Sequence, residues 1–295
     1  MFPITSIGET AEFHRIETDS IGRMNISGKV AIVTGGGAGI GAAIARRVVD
    51  GGGKVVVADL NADSARQVAA DIDERHPGSA VAEVGDVADS DVLSALIARA
   101  ESEFGPVDIF FANAGIPGGL GLDSTEEQWT NAIGVNVMAH VRAARLLVPG
   151  WIERGAGYFV STASAAGLLT QIGSAPYSVT KHAAVAFAEW LSVTYGDRGI
   201  GVSCLCPMGV DTALLDTGFD VGHGDAELAA RAVTSAGPVL EPSEVAERVV
   251  EAIADGRFLI LPHPQVLDMY RNKGADYDRW LSGMRRYQAG LEERR

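Results

Sequence analysis

The sequence predicts an α/β fold in which a doubly wound, seven-stranded parallel sheet carries helices on both faces. Short β-branched runs alternate with longer stretches whose apolar residues recur at helical spacing, in the order strand, helix, strand, helix. Right-handed crossovers turn that order into a parallel sheet that is covered on both sides. Because no Pro-rich or Ser-rich linker interrupts residues 28–261, we expect one domain there, an N-terminal arm over 1–27 and a helical C-terminal extension over 262–295.

Each predicted element follows from a local pattern. The seven strands are expected over residues 29–34, 54–59, 80–86, 107–112, 157–161, 201–206 and 257–261. Ser124 and Glu127 have the spacing of a capping box, which predicts a helix from there through Asn136 towards Pro149. A further helix is predicted over residues 175–195.

Two later segments have less regular patterns. Residues 213–238 mix glycines with a few apolar side chains, a composition that predicts a mobile flap. The extension carries aromatic and apolar residues at helical spacing, namely Tyr277, Trp280, Leu281, Met284 and Tyr287. This helix either packs against the domain or a sister subunit, or it forms a lid over a substrate pocket, and the sequence leaves both possibilities open.

Composition excludes several classes of protein. In 295 residues, 24 Lys and Arg oppose 38 Asp and Glu, so a net charge of −14 repels nucleic acid and anionic lipid, and we expect neither as a partner. We find no secretory signal pattern and no run of about eighteen apolar residues that would span a membrane. Cys204 and Cys206 cannot form a disulfide framework, and neither they nor the histidines have metal-ligand spacing. We therefore expect a soluble, cytoplasmic protein without a metal.

A glycine-rich segment, residues 34–41 (TGGGAGIG), follows the first strand and opens a helix. Glycines permit the tight turn and let the main chain approach a pyrophosphate, while the helix N-terminus offers unpaired N–H groups and a partial positive charge. Candidate contacts to a dinucleotide in a Rossmann-type fold are therefore Gly35, Gly37, Gly39, Ile40 and Gly41.

Residues at the following strand ends support a dinucleotide site. Asp59 closes the second strand, where its carboxylate would accept hydrogen bonds from the adenosine ribose and repel a 2′-phosphate, which predicts NAD rather than NADP. Asp86, followed by Val87, ends the third strand and is a candidate partner of the adenine amino group, although a plain turn explains it almost as well. Asn113-Ala114-Gly115 ends the fourth strand and faces the same crevice.

Tyr177 and Lys181 share one face of a predicted helix because they are four residues apart. A free tyrosine has a pKa near 10, and lowering it to neutral pH needs roughly 4 kcal/mol of preferential stabilisation of the phenolate. A neighbouring ammonium and a positively charged nicotinamide ring could supply that stabilisation. A helical Tyr–Lys pair at this spacing also arises often by chance.

Ser164 lies in the loop after the fifth strand, thirteen residues before Tyr177. A loop of that length can return to the crevice, where the serine hydroxyl could hydrogen-bond a reacting carbonyl oxygen while the tyrosine supplies or accepts its proton. Ser161 and Thr162 are alternatives for the role of the serine. Asn136, on the preceding helix, could hold a water that links the lysine to solvent.

With these motifs in order, residues 28–261 resemble the short-chain dehydrogenase/reductase family, in its single-domain, NAD-preferring type. The resemblance implies a catalytic tetrad of Asn136, Ser164, Tyr177 and Lys181. In it, Ser164 polarises the carbonyl and Tyr177 is the acid or base. Lys181 lowers the pKa of the tyrosine and holds the nicotinamide ribose, so both residues also contact the cofactor, and Asn136 orders a relay water.

The family also places the loop after the sixth strand against the nicotinamide, which implies contacts from Pro207, Val210 and Thr212. Met208 stands where the family usually has a glycine, so the loop geometry is expected to differ locally. Members usually pair through two long helices, here over 125–149 and 175–197, which implies a homodimer or homotetramer.

The function implied by the resemblance is hydride transfer between NAD(H) and a secondary alcohol or ketone. An alternative is an NAD-binding regulatory or scaffold protein without turnover, and an epimerase or dehydratase is disfavoured because the added substrate domain of those relatives is missing. An apolar substrate is expected, since most of the candidate wall residues are apolar: residues 118–122, Leu168, Leu169, Gln171, Ile172, Met208, Leu214, Leu215 and Phe219.

Overall fold

The computed structural model describes residues 22–216 and 224–293. Its strands are β1 (Val30–Thr34), β2 (Lys54–Asp59), β3 (Ala80–Val84), β4 (Ile109–Ala112), β5 (Gly157–Thr162), β6 (Ile200–Leu205) and β7 (Leu259–Ile260). They form one parallel sheet in the order β3-β2-β1-β4-β5-β6-β7. The predicted doubly wound, seven-stranded sheet is confirmed, with small differences at the strand ends.

Helices connect the strands and cover both faces of the sheet. In chain order they are α1 (Gly39–Asp50), α2 (Ala62–Arg75), α3 (Ser90–Phe104), α4 (Glu126–Ile133), α5 (Ala139–Arg154), α6 (Ala165–Leu168), α7 (Ala175–Tyr195), α8 (Ala213–Asp216), α9 (Gly224–Thr234), α10 (Pro242–Asp255), α11 (Gln265–Ala275) and α12 (Tyr277–Glu292). None of the helices within residues 22–216 and 224–293 combines the length and the apolar character needed to cross a membrane.

Alternate side chains of each strand enter two separate apolar cores. Val30 and Ile32 of β1 join the core that packs against α3, α5 and α7. Ala31 and Val33 join the core on the other face, which packs against α1, α2 and α10. Because both faces are buried, the strands read as nearly continuous apolar runs rather than as alternating ones.

The strand order reverses at β1, which has β2 on one side and β4 on the other. In a doubly wound sheet this switch point opens a crevice at the carboxyl ends of the strands. The segments that follow β1, β4, β5 and β6 therefore meet at one edge of the sheet. These segments carry most of the candidate site residues.

The capping box that opens α4 is formed by other residues than predicted. Thr125 Oγ1 accepts a hydrogen bond from the Gln128 N–H at 3.2 Å, and Gln128 Oε1 accepts one from the Thr125 N–H at 2.9 Å. Ser124 lies before the box and donates to the Leu120 carbonyl at 3.0 Å, so the prediction from Ser124 and Glu127 was wrong by one residue. Both pairs have the required spacing and chemistry, and the path of the preceding turn selects between them.

The helix through Asn136 is interrupted by a π-helix, Gly134–Met138, and then continues as α5 past Pro149 to Arg154. The ring of Pro149 removes a hydrogen bond to the carbonyl of Arg145. Both residues are exposed, so solvent can serve that carbonyl. The proline is therefore tolerated inside the helix.

Segments outside residues 28–261 pack onto the domain. The Met24 N–H donates to the Ile253 carbonyl at 3.0 Å, and Ile26 is buried in the core of α1 and α10. The extension is helical, as predicted. Its helix α12 packs against α9 in a small apolar cluster of Ile172, Leu228, Ala232, Met284, Tyr287 and Leu291.

The predicted flap, residues 213–238, is helical in its described part, since it contains α8 and α9. Leu228 and Ala229 of α9 are buried. Residues 217–223, with Phe219, lie outside the described residues. The described part thus packs as an element of the fold, which composition alone did not indicate.

Candidate active site

A continuous cavity of about 680 Å³ lies at the carboxyl ends of the strands. Most of the predicted site residues border it, namely Gly35, Gly39, Ile40, Gly41, Asp59, Asp86, Val87, Asn113, Ala114, Gly115, Ser164, Ile172, Tyr177, Lys181, Pro207, Met208, Val210, Thr212 and Leu214. Gly37, Asn136 and Leu168 do not border it. The topology therefore brings the glycine segment and the Tyr–Lys pair to one cavity.

The glycine segment forms a close-packed turn in which side chains have no room. Gly35 has a φ of +61°, and a Cβ there would lie 2.9 Å from Cα of Ala114. A Cβ at Gly41 would lie 2.0 Å from the carbonyl oxygen of Gly35 and 2.6 Å from Nδ2 of Asn113. The first turn of α1 has Ala38 as its N-cap and no side chain bound to its N–H groups, whereas side chains cap α2 and α3. This turn, which we call the glycine cradle, fits a pyrophosphate. Backbone N–H groups at a helix N-terminus bind anions when no side chain occupies them.

Asp59 is held in place by backbone donors. Its Oδ2 accepts a hydrogen bond from the Gly37 N–H at 2.9 Å, and its Oδ1 accepts one from the Asn61 N–H at 2.9 Å. A Cβ at Gly37 would come within 3.0 Å of this carboxylate. Gly37 therefore orients Asp59, and of these two residues Asp59 borders the cavity.

Asn113 ties the ends of three strands together. Its Nδ2 donates to the Thr34 carbonyl at 3.0 Å, and its Oδ1 accepts from Thr162 Oγ1 at 3.2 Å. The hydroxyl of Thr162 is thus engaged with Asn113, and that of Ser161 lies 3.0 Å from Nδ1 of His140. Of the three hydroxyls considered for the serine role, both alternatives are therefore engaged with structural partners.

Ser164 and Tyr177 meet in the cavity. Ser164 caps α6 and accepts a hydrogen bond from the Ala166 N–H at 3.1 Å, while Tyr177 lies in the first turn of α7 and is 8% exposed. Burial raises the pKa of the phenol, and a hydrogen bond with Ser164 acts in the opposite direction. The net effect is a raised pKa, so Tyr177 carries its proton at neutral pH.

Lys181 lies one turn further along α7. Its Nζ donates to the Thr162 carbonyl at 2.9 Å and lies 5.6 Å from the centre of the Tyr177 ring. Burial lowers the pKa of the ammonium to about 8. The sequence predicted that this lysine would lower the pKa of Tyr177. Among the chain's own residues, burial is the largest influence on this pKa, and it raises the pKa of the phenol.

Asn136 is fully buried in the π-helix. Its Oδ1 accepts from the Ile116 N–H at 2.9 Å, and its Nδ2 donates to the Ile116 carbonyl at 2.8 Å and to Thr180 Oγ1 at 3.0 Å. Asn136 thus fixes the loop after β4 against α7, beside Lys181. A Cβ at Gly115 would lie 3.2 Å from Lys181 Nζ and 3.3 Å from Asn136 Oδ1, so a glycine leaves the space between them open.

His140 is a buried polar residue that the sequence analysis missed. Besides its contact with Ser161, it has a ring atom, Nε2, without a hydrogen-bond partner among the described residues. Burial and the positive charge of Lys181 lower its pKa to about 3. The sequence signal that could have identified His140 is its position four residues after Asn136, which places both residues on the same face of a helix.

Part of the predicted substrate wall was wrong. Leu168 is 3% exposed and packs in the core, whereas Leu169, which was predicted alongside it, borders the cavity. Residues 118–120 border a separate cavity of about 250 Å³, and Leu122 is 97% exposed. Gly118 and Gly119 have positive φ angles, and their loop lines this second cavity rather than the main one.

The extension supplies wall residues that the sequence could not place. Met269 of α11 and Trp280, Met284 and Tyr287 of α12 border the main cavity. The Tyr287 hydroxyl donates to the Ala232 carbonyl of α9 at 2.9 Å. Of the possibilities left open for the extension, packing on the domain is observed, and α12 also forms one side of the cavity.

The loop after β6 is held by a second histidine. The Met208 N–H donates to Nδ1 of His263 at 3.1 Å, and Nε2 of His263 lies 3.2 Å from the Pro238 carbonyl, to which it donates. Burial lowers the pKa of His263, which favours the neutral ring that this arrangement requires. This contact fixes the backbone at the position where the family usually has a glycine.

Comparison with known proteins agrees with this geometry. The family model described as short chain dehydrogenase matches residues 29–220. A 1-deoxy-11-beta-hydroxypentalenate dehydrogenase from Streptomyces exfoliatus is 32% identical over 266 residues, covering 88% of this chain and 92% of that protein.

Two solved structures have similar folds. A short chain dehydrogenase/reductase from Burkholderia phymatum in complex with NAD has a TM-score of 0.78 at 31% identity, covering 86% of this chain and 96% of that one. The actinorhodin polyketide ketoreductase with NADPH has a TM-score of 0.71 at 30% identity, covering 81% of this chain and 97% of that one.

The family match extends from β1 to α8 and thus covers the glycine segment, the strand ends and the Tyr–Lys helix. The sheet order and the main cavity described above agree with it. The chain therefore belongs to the short-chain dehydrogenase/reductase family of oxidoreductases, which use a nicotinamide dinucleotide.

Proposed function

We propose that this enzyme transfers hydride between NAD(H) and an apolar secondary alcohol or ketone. One observation carries the proposal: Ser164, Tyr177 and Lys181 border the same cavity as the glycine segment and Asp59, and the rest of that cavity is mostly apolar. A cofactor and a carbonyl compound can therefore meet beside a buried proton donor. The names of the relatives support the reaction class, since they are dehydrogenases and reductases.

The residues at the cavity fit a nicotinamide dinucleotide, whose chemistry when bound is to accept or donate hydride at the carbinol carbon. The bare N–H groups of Gly39, Ile40 and Gly41, with Gly35 beside them, would hold the pyrophosphate. Asp59, oriented by Gly37, would hold the adenosine ribose. Asp86 and Val87 would hold the adenine end. Tyr177, Lys181, Pro207, Val210 and Thr212 would hold the nicotinamide end, and Asn113, Ala114 and Gly115 would contact the dinucleotide in the same crevice.

The chain's own residues handle the proton. In ketone reduction, the protonated phenol of Tyr177 donates its proton to the substrate oxygen, and the Ser164 hydroxyl donates a hydrogen bond to the same oxygen as negative charge develops there. Lys181, one turn away, stabilises the resulting phenolate by its positive charge. Asn136 acts indirectly, because it holds the loop after β4 and Thr180 in place. Alcohol oxidation reverses these steps.

A homodimer or homotetramer is part of the proposal. Apolar side chains are exposed along the long helices α5 and α7, with exposed fractions of 44% at Leu146, 52% at Val179, 53% at Trp190 and 86% at Val193. Such a row on two adjacent helices is typical of a surface that another subunit covers.

The test is initial-rate kinetics with NAD on a panel of apolar secondary alcohols. Tyr177→Phe keeps the ring and removes the acid, so we expect the rate to fall by at least about a hundredfold. Tyr195→Phe, at the other end of the same helix, is the matched control and should retain the wild-type rate. Equal rates for Tyr177→Phe and wild type would disprove the role of the phenol. Saturable NADH binding without turnover of any alcohol or ketone would instead support the regulatory alternative.

A further inference from the structure

The extension contains a buried cation that the proposed reaction does not use. Lys273 on α11 is 5% exposed, although lysine is among the residues least often buried. Its ammonium donates to the carbonyls of Leu168 at 2.8 Å and Leu169 at 2.7 Å, and it lies 3.4 Å from Nε2 of His182. Nδ1 of His182 lies 2.8 Å from the Ser178 carbonyl, to which it donates, so Nε2 can accept the third ammonium proton.

Two aromatic rings complete the surroundings of this ammonium. Nζ of Lys273 lies 5.4 Å from the centre of the Tyr277 ring and 5.1 Å from that of the Trp280 ring, within the range of a cation–π interaction. Both rings belong to α12, and the carbonyls belong to the end of α6. The ammonium thus joins α11, α12, α6 and α7 at one point.

The segments that meet at Lys273 are also walls of the cavity. Leu169, whose carbonyl the ammonium binds, borders the cavity, and so do Trp280 and, one turn later, Met284. Ser164 lies at the start of the short helix α6, whose last carbonyls the ammonium caps. A shift of Lys273 would therefore move one wall of the cavity relative to the proton-transfer group.

We propose that Lys273 is a positioning residue that fixes the extension against residues 164–172, and that the resulting rigid wall selects secondary alcohols with a large apolar body. This inference rests on the proposed function and names its substrate class. Because Ser164 and the apolar side chains of α12 border the same cavity, a large substrate with its hydroxyl at Ser164 would extend to α12, and a short one would not. Holding the wall in one position lowers the entropic cost of binding the large substrate.

The experiment compares three variants and two probes. Lys273→Met removes the ammonium and keeps an unbranched side chain, while Lys273→Arg keeps a cation with several donors. Arg271→Met removes a cation from the exposed face of the same helix, where it pairs with Asp268, and is the control. The probes are decahydro-2-naphthol, a bicyclic secondary alcohol, and 2-butanol, and kcat and KM are measured for both with NAD.

We expect wild type to prefer decahydro-2-naphthol in kcat/KM by at least about tenfold. Lys273→Met should lose most of this preference through a higher KM for the bicyclic alcohol, and Lys273→Arg should recover part of it. Arg271→Met should keep the wild-type ratio. The affinity for the bicyclic alcohol, measured by calorimetry in the presence of NADH, should change in the same order.

Two results would overturn the inference while leaving the proposed function intact. One is a wild-type enzyme that turns over both alcohols without preference. The other is a Lys273→Met variant that unfolds at a lower temperature but keeps the wild-type ratio and affinity, since the lysine would then be merely structural. Absence of turnover for both probes would count against the proposed function. Calorimetry would still decide the role of Lys273. Equal affinities in wild type and Lys273→Met would overturn that role, and a weaker affinity in the variant would support it.

Discussion

At the scale of a single residue, we propose that the charge of Asp59 distinguishes NAD from NADP. Its carboxylate borders the cavity at the end of β2, oriented by two backbone N–H groups. A fixed negative charge there repels a 2′-phosphate and accepts hydrogen bonds from ribose hydroxyls. One similar structure contains NAD and another NADPH, so the proposed preference rests on this carboxylate.

We predict that Asp59→Ser reduces the preference for NAD over NADP in kcat/KM by at least about tenfold, which corresponds to about 1.4 kcal/mol. Removal of the carboxylate abolishes both the repulsion and the ribose contact. Asp63→Ser, an exposed acidic residue in the first turn of α2, is the control and should keep the preference. An unaltered cofactor ratio in Asp59→Ser would contradict the assignment.

His140 predicts acid sensitivity. Its pKa is about 3 in the folded chain, against a usual value of 6.5, so the unfolded chain binds an additional proton between these values. The free energy of unfolding therefore falls as pH decreases from 6.5 towards 3. Relative to a His140→Leu variant, wild type should lose about 3 kcal/mol between pH 8 and pH 4.5, at 1.36 kcal/mol per pH unit below 6.5.

Urea unfolding at the two pH values measures this difference. At pH 8 the imidazole is neutral in both states, so the wild-type minus variant difference reflects the packing and hydrogen bonding of the uncharged ring and serves as the reference. If the two proteins lose the same stability on acidification, His140 is not the group that titrates.

The positions of individual site residues were predictable where their spacing in the sequence alone brings the reactive groups together. Tyr177 and Lys181 are on one helix, so their separation places them side by side. His140, His263 and Lys273 act across elements that are far apart in the sequence, and no local pattern reports such contacts. The pKa direction of Tyr177 depends on burial, which also becomes known only with the packed structure.

At the scale of elements, the turn between β1 and α1 was also predictable from local sequence, while its details became known only from the packed structure. A strand followed by glycines and a helix predicts the turn, and the structure adds why particular positions exclude a side chain. The π-helix around Asn136 and the shift of the capping box from Ser124 to Thr125 were not predictable. Both depend on how the loop after β4 packs, and neighbouring residues offered equivalent local chemistry.

We predict that Gly41→Ala abolishes measurable NADH binding or weakens it by at least about a hundredfold. The new Cβ would lie 2.0 Å from the Gly35 carbonyl oxygen, so the cradle must deform. Gly150→Ala is the matched control, since Gly150 lies in α5 with no atom within 4 Å of a Cβ. This control should bind NADH normally and be stabilised by about 0.5–1 kcal/mol. Fluorescence titration with NADH measures the binding, and thermal unfolding measures the stability. Normal NADH binding by Gly41→Ala would contradict the proposed pyrophosphate site.

At the scale of the whole molecule, the exposed apolar row on α5 and α7 predicts self-association. Val193 is 86% exposed, so a charge there is compatible with the folded monomer but not with a covered interface. We expect Val193→Glu to sediment as a monomer in analytical ultracentrifugation, and wild type as a dimer or tetramer. Leu122→Glu, in an equally exposed loop, should sediment as wild type does. A monomeric wild type would refute the assembly.

The architecture as a whole was predictable because the order of strands and helices, together with right-handed crossovers, allows few topologies. The place of α11 and α12 was not predictable, because a helical pattern indicates an apolar face without naming the surface that the face covers. Docking of these helices against α9 and the end of α6 depends on long-range contacts such as that between Lys273 and Leu168.

One side of the cavity is encoded by a short contiguous stretch, with Met269, Trp280, Met284 and Tyr287 all within residues 269–287. Protein engineers can therefore randomise that stretch with a single mutagenic cassette and leave codons 136, 164, 177 and 181 untouched. Libraries of this kind would vary which molecules are accepted without altering the reaction itself, and exchanging the same stretch between homologues would make chimeras for the same purpose.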